Sequence, residues 1–424
     1  VAGWPRTLAR LDVTEPACRA CGAGLDVGFV DLGMQPIANA FRTQAELSQP
    51  ETRYPLRAFV CRRCLLVQLE DHGAREAHFH AGYLYFSSFS DSWLDHARNY
   101  AAAMTARFGL GPQSRVVEIA SNDGYLLRHF AARGIPCLGV DPASGVAQAA
   151  MRAGIPTRIA FFGRAYAERL RAEGLAADLM PANNVLAHVP DIGDFVAGFR
   201  VLLKPDGVAT FEFPHLLHLI QGVQFDTIYH EHYSYLSLTA LLPLFERHGL
   251  AVFDVEHLPT HGGSLRVFAA RVEAGRAPSA AVAVCLADEA GAGLTDLATY
   301  RGFAARADAA TRALSALLRG LKRDGARIAA YGAPAKGNTL LNHAGIGTDI
   351  IDFAVDRNPA KQGLFLPGSA IPVLPVSALA ERRPDHVLIL PWNLTDEIVA
   401  QQSGIAAWGG RFIVPMPEPR VIDA

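Results

Sequence analysis

The 424-residue chain is 50% hydrophobic, enough for two or three cores of ordinary domain size (roughly 100–200 residues each). Lys+Arg (39) and Asp+Glu (41) are interspersed and leave a net charge of −2, so no electrostatic footprint for nucleic acid is present. No apolar run approaches the roughly 20 residues that span a bilayer, and the N-terminus lacks a signal peptide's charged-then-apolar order, so a cytoplasmic protein without nucleic-acid or membrane partners is expected.

Residues 1–75 read as a small Pro/Gly-punctuated module with strand-like runs at Asp26–Leu32, Leu56–Cys61 and Leu65–Leu69. It carries two CxxC knuckles, Cys18/Cys21 and Cys61/Cys64, with 39 residues between them. Four thiolates in two close pairs match a tetrahedral structural zinc site, each tight turn giving two ligands. A redox pair or disulfides fit less well, because neither knuckle sits in a thioredoxin-like βαβ context and a reducing cytosol opposes stable bridges. A core this small needs such a staple. Cys137 and Cys285 stand alone in apolar surroundings and read as core.

Residues 76–275 read as an α/β domain. The aromatic stretch Gly82–Asp91 precedes a periodic helix, with Ser90 or Asp91 as N-cap, and its Tyr83 and Tyr85 either pack or turn phenols into a cleft. Strands are expected at Arg115–Ala120, Cys137–Asp141, Ala177–Ala187 (a strand end and turn) and Gly207–Phe213 with helices between, the rhythm of a parallel sheet covered on both faces. At the first strand's carboxyl end, Glu118-Ile119-Ala120-Ser121-Asn122-Asp123-Gly124 makes a small polar turn into a helix near Tyr125, where such folds bind ligands. Asp141 closes the next strand, placed to accept hydrogen bonds from a ribose diol. The turn lacks the dinucleotide pattern GxGxxG. S-adenosylmethionine, with no pyrophosphate to cradle, fits Glu118, Ser121, Asp123, Gly124 and Asp141 better; an ordinary βαβ turn is the plain alternative. Asn184 and His188 end a later strand, where such domains border the adenine and the methyl donor.

Tyr229-His230-Glu231-His232-Tyr233 is the densest run of proton-handling side chains in the chain. Two imidazoles, a carboxylate and two phenols suit proton abstraction next to a carbonyl, which needs a base and an oxyanion partner close together. Leu250–Glu256 and Ser264–Ala270 then form an expected hairpin on the sheet's edge. Its turn presents His261, and Gly262 and Gly263 allow close backbone approach to a ligand or simply make a tight turn.

Residues 276–424 begin with an Ala-rich helical region, Leu294 to about Lys322, and continue as a second α/β unit with strands at Arg327–Tyr331, Ile350–Val355 and His386–Leu390. Gly332 and Gly337 frame a Gly-x4-Gly turn at a helix start, where phosphate oxygens bind well and Lys336 adds charge. Asn338 stands where the ATPase loop has its Lys, which argues against an ATPase. Arg357 ends the next strand. Diphosphate binding and a structural turn both fit.

Taken in order, the two knuckles, the Glu118–Gly124 turn, Gly139-Val140-Asp141, Ala182–Pro190, Tyr229–His232, Thr260–Val267 and Gly332–Asn342 resemble the nucleotide-sugar C-methyltransferases of deoxysugar biosynthesis, such as the 3-C-methyltransferases that make branched sugars for antibiotics. The resemblance covers nearly the whole chain. It implies an N-terminal zinc domain, a central Rossmann-like S-adenosylmethionine domain and a C-terminal Rossmann-like domain that helps hold a TDP-sugar. It further implies that Cys18, Cys21, Cys61 and Cys64 bind zinc, that Glu118, Asp123, Gly124, Asp141 and Asn184 sit at the cofactor, and that Tyr229, Glu231 and His232 form the catalytic segment with Tyr83 near the sugar. General motifs of this kind carry more glycine than the turn holding Ala120 and Asn122.

The expected reaction is C3 methylation of a TDP-4-keto-deoxysugar through an enolate. His232 is the expected base, Tyr229 or Tyr83 the donor to the enolate oxygen, and Glu231 either orients His232 or grips a sugar hydroxyl. His261, Lys336, Asn338 and Arg357 are the expected substrate contacts. The rivals are an NADPH-dependent 4-ketoreductase, alone or as a second activity, a metal hydrolase built on His230 and His232, and a non-catalytic zinc-ribbon adaptor.

Overall fold

The computed structural model describes residues 16–70, 87–89 and 91–424. Tyr83, Tyr85 and Ser90 lie outside the described residues. Behind the cysteine knuckles, β1 (Val27–Gln35), β2 (Tyr54–Val60) and β3 (Val67–Leu69) run antiparallel. Their inward residues, Phe29, Leu56 and Val60 among them, are buried, and Phe29 stacks on Phe303 from the C-terminal half at 4.4 Å between ring centroids.

The central sheet begins with five parallel strands, β4 (Val116–Ile119), β5 (Cys137–Asp141), β6 (Thr157–Ile159), β7 (Ala177–Asn183) and β8 (Leu203–Pro214). The next strand, β9 (Ser234–Tyr235), leaves this sheet and pairs antiparallel with β3 as the fourth strand of the zinc module's sheet. The hairpin β10 (Leu250–Leu258) and β11 (Ser264–Arg271) returns to the central sheet beside β8, giving the order β10-β11-β8-β7-β4-β5-β6. All four residues of β4 are buried. Val117 and Ile119 enter the hydrophobic cluster on one face and Val116 the cluster on the other, as the period-two alternation of a doubly covered strand requires. Strand order reverses between β4 and β7, which opens a crevice at their carboxyl ends.

The third sheet comprises β12 (Ile328–Tyr331), β13 (Phe353–Val355), β14 (Val373–Leu374), β15 (His386–Ile389), β16 (Arg411–Val414) and β17 (Arg420–Ile422), ordered β14-β13-β12-β15-β16-β17 and parallel except for β17. One hydrophobic cluster runs from Leu56 through Leu216 to Ile328 and Leu388, joining all three units.

The strand expected to end and turn within Ala177–Ala187 does so at Asn183, where Asn184 turns the chain at φ +53°. Other boundaries differ from expectation. The helical region expected from Leu294 is split into Leu297–Arg301 and Phe303–Arg323 around Gly302, and another helix, Ala280–Gly291, precedes it. Cys285 is fully buried as expected, whereas Cys137 is only partly so. Strands β6, β9, β14, β16 and β17 are two to four residues long and carry too few alternations to be read as periodic.

Candidate active site

The zinc knuckles come first in the chain and bear on everything after them. The four Sγ atoms lie within 4.8 Å of one another, with Cys18–Cys64 and Cys21–Cys61 each at 3.5 Å. That separation is far beyond a disulfide bond of about 2.05 Å. It approaches the roughly 3.8 Å edge of a tetrahedron with Zn–S bonds of about 2.3 Å. Buried Gln68 on β3 donates to Cys18 Sγ at 3.2 Å and accepts from the Arg19 amide at 2.9 Å, which holds a metal ligand from behind. Arg19 in turn lies over the Tyr233 ring, 5.2 Å from its centroid, and the Leu69 amide donates to the Tyr233 carbonyl at 3.0 Å. The metal module therefore grips the end of the Tyr229–Tyr233 run.

A cleft of about 890 Å³ opens at the carboxyl end of the central sheet, and all three units wall it. On its deep side the turn after β4 places Ala120 at φ +59° and Asn122 at φ +50°, left-handed conformations that glycine adopts without strain. These are the positions where general motifs carry glycine. Asn122 and Asp141 line the cleft, and the Asp141 carboxylate accepts the Asn122 amide at 2.9 Å and the Ala143 amide at 2.8 Å. Burial nevertheless raises the Asp141 carboxyl to about 6. Glu118, Ser121, Asp123 and Gly124 lie behind this wall. Ser121 packs against Gly139 and Asp123 accepts the Ser88 amide at 3.3 Å, while burial, then Asp141 and Asp123, push the Glu118 carboxyl well above its usual range.

Opposite the turn, Asn183 and Asn184 close β7. The Oδ1 atoms of both are buried without a hydrogen-bond partner among the described residues. Two orphaned acceptors beside Asp141, in a polar crevice at a strand-order reversal, fit a ligand rich in hydroxyl and amino donors. That donor set suits the ribose, adenine and amino group of S-adenosylmethionine.

The proton-handling residues stand across from this crevice. The His232 Nδ1–H donates to the Thr227 carbonyl at 2.9 Å, which fixes the proton on that nitrogen. Nε2 is left bare and accepts from the Tyr229 hydroxyl at 2.7 Å. Burial first, then His188 at 4.6 Å between ring centroids, holds the His232 imidazole well below its usual value, so it stays neutral. Glu231 does not pair with His232. Both of its oxygens accept from Asn39 Nδ2 of the zinc module, at 2.8 and 2.9 Å, and burial raises this carboxyl to about 7. His230 turns away and bonds the Pro55 carbonyl at 3.1 Å; among the described residues it and His232 join no three-ligand group.

The remaining wall holds His261 and Lys336. His261 sits at φ +55°, 3.1 Å from Asn184 and tilted against Trp93. The space beside Gly262 and Gly263 is taken by Trp392 and His218, so these glycines serve packing within the chain. Lys336 reaches the cleft beneath Asn393 and over the Trp392 ring, where burial, offset by Asp226, lowers its amine to about 8. Gly332 and Gly337 press against Pro391 and Leu390. Asn338 and Arg357 do not line the cleft: Asn338 is buried and donates to the Ala38 carbonyl at 2.7 Å, and Arg357 is exposed. Asn39, Trp93 and Lys361 do line it, and each comes from a segment with no motif to mark it.

Residues 18–79 match a family described as a zinc binding domain, 93–255 a methyltransferase domain, and 259–417 a C-methyltransferase C-terminal domain. The chain is 40% identical over 415 residues to the C-methyltransferase NovU of Streptomyces niveus, covering 97% of this chain and 99% of that one. The chain belongs to this C-methyltransferase family. It is an S-adenosylmethionine-dependent C-methyltransferase whose four knuckle cysteines bind zinc. Solved structures similar to part of it include an S-adenosylmethionine-dependent methyltransferase from Mesorhizobium loti (17% identity, 42% of this chain and 100% of that one, TM-score 0.34). Another is PH0226 from Pyrococcus horikoshii OT3 (14% identity, 44% and 94%, TM-score 0.37). Nothing in the C-methyltransferase's site or relatives supports NADPH. No helix among its described residues is long and apolar enough to cross a membrane.

Proposed function

We propose that this C-methyltransferase methylates C3 of a TDP-4-keto-deoxysugar through an enolate. The observation that carries this reading is the neutral, singly oriented imidazole of His232, its bare Nε2 capped by the Tyr229 phenol inside the cleft. A C4 ketone acidifies the neighbouring C3–H. When the ketone oxygen arrives, the Tyr229 hydroxyl swaps acceptors, donating to that oxygen and uncovering Nε2. His232 then takes the C3 proton, and the electron pair it leaves forms the new carbon–carbon bond. S-adenosylmethionine, when bound, would supply the electrophilic methyl, with its S–CH3 bond breaking and the pair leaving on sulfur as neutral S-adenosylhomocysteine. The imidazolium returns its proton to solvent, which the unfavourable cation in this buried position promotes. Glu231, fixed by Asn39, grips a sugar hydroxyl, Lys336 supplies positive charge toward the diphosphate, and Asp141 accepts the ribose hydroxyls of the methyl donor.

Incubation with S-adenosylmethionine and a panel of TDP-4-keto sugars tests the reading by mass spectrometry. A product heavier by one methylene is expected, and without the methyl donor the C3 hydrogen should exchange in heavy water. If the chain binds S-adenosylmethionine yet neither exchanges nor methylates any keto sugar, the sugar reading falls. A separate test bears on the donor end. Asp141→Asn is expected to weaken S-adenosylmethionine binding by about tenfold, the scale of one lost charge-assisted hydrogen bond. Calorimetric titration checks it, and unchanged affinity would remove Asp141 from that contact.

A further inference from the structure

A second group of ligating side chains lies apart from the zinc knuckles and from the acid–base pair. His215 precedes the helix Leu216–Gln221 as its N-cap residue and His218 follows three positions later, the spacing that brings two side chains together on one turn. His257 joins them from β10. Each ring offers a nitrogen, and the three nitrogens lie within 4.8 Å of one another. Three nitrogens on one zinc ion at about 2.0–2.1 Å sit roughly 3.4 Å apart. His257 is exposed, so its ring is free to swing and close that difference.

The environment of His215 supplies an independent reason to look for a ligand. Its ring is fully buried, with Nε2 at 2.6 Å from Glu289 Oε1. Glu289, also fully buried, accepts from the Leu238 amide at 2.6 Å, the Thr239 amide at 2.8 Å and the Thr239 hydroxyl at 2.5 Å. A carboxylate with that many donors stays ionised, and it can only accept from Nε2. Nε2–H therefore donates to Glu289, and Nδ1 is buried with no hydrogen-bond partner among the described residues. A histidine whose one nitrogen donates to a carboxylate while the other presents a lone pair is the usual arrangement of a metal ligand and its outer partner. The overlapping group His215, Cys285 and Glu289 is a poorer candidate, because the Glu289 oxygens are already engaged.

We propose that His215, His218 and His257 bind one divalent transition-metal ion of the zinc, cobalt and nickel class, with Glu289 as outer partner and the remaining position open to water. Imidazole nitrogens select this class over magnesium or calcium. The ion ties β10 to the helix Leu216–Gln221. Since Gly263 packs directly on the His218 ring, it also braces the turn that carries His261 into the cleft.

Metal content after zinc saturation and desalting tests the site. Two zinc ions per chain are expected for the unaltered protein and one for His218→Ala/His257→Ala, with the four-cysteine site intact in both. With cobalt, the first ion should show an intense thiolate charge-transfer band, and the second only weak visible bands that vanish in the variant. His257→Ala alone, at an exposed position, serves where the double variant does not fold, and it too should lose the second ion. One zinc per chain in the unaltered protein overturns the proposal, as does a second ion that persists in either variant.

Discussion

His232→Ala is expected to lower kcat by about 10²–10⁴-fold, the usual contribution of a positioned general base, while leaving S-adenosylmethionine affinity unchanged. Exchange of the C3 hydrogen with solvent should fall in parallel, since the same proton transfer limits both. The prediction rests on a division of labour in the cleft. His232 is tied to Thr227 and Tyr229, whereas the proposed donor crevice is lined by Asp141, Asn183 and Asn184 at the ends of other strands. Tyr229→Phe supplies the internal control. It leaves Nε2 uncovered but removes the oxyanion donor, so it should slow exchange through enolate stability rather than through loss of the base. Its effect should be about 10²–10³-fold, the scale of one lost oxyanion donor. Exchange that survives in His232→Ala at its original rate would remove this residue from the role.

Cys61→Ser is expected to abolish turnover although Cys61 is not a cleft residue. Structural zinc in small modules carries apparent binding free energies of about 10–16 kcal/mol, so losing a ligand should unfold the knuckle module, described over residues 16–70, rather than loosen it. That module supplies Asn39 to Glu231, Arg19 to the face of Tyr233, and β3 to β9. The central sheet keeps its own strands, so methyl-donor binding should survive. Limited proteolysis should cut the N-terminal region selectively, calorimetry should still register S-adenosylmethionine, and activity should be absent. Full turnover without zinc would show that the module does not position the proposed acid–base residues.

Much of this could be read from residues adjacent in sequence. The turn from Glu118 to Gly124 was legible because strand, polar turn and helix follow one another, and even its departure from a glycine-rich pattern has a counterpart in the left-handed Ala120 and Asn122. Tyr229 and His232 were legible for the same reason, being three residues apart and bonded to each other. What stayed hidden depends on distant partners. Asn39 lies 192 residues from Glu231, and nothing local marks it as the group that holds that carboxylate. Asn338 was expected to face a ligand from its place after Gly337, but its amide goes to Ala38, 300 residues away. Gly262 and Gly263 were expected to let a ligand approach the backbone or to make a tight turn, but Trp392 and His218 occupy the space. Sequence shows that a residue must be small and not what presses against it.

The two-residue strand β9 restricts how this enzyme can be taken apart. Because the stretch carrying the proposed acid–base pair ends as an edge of the metal-stapled sheet, a chimera that joins one relative's head to another's core must match at that seam as well as at the covalent junction. Trimming away the head to obtain a minimal enzyme would leave a protein that captures its methyl donor and then does nothing with it.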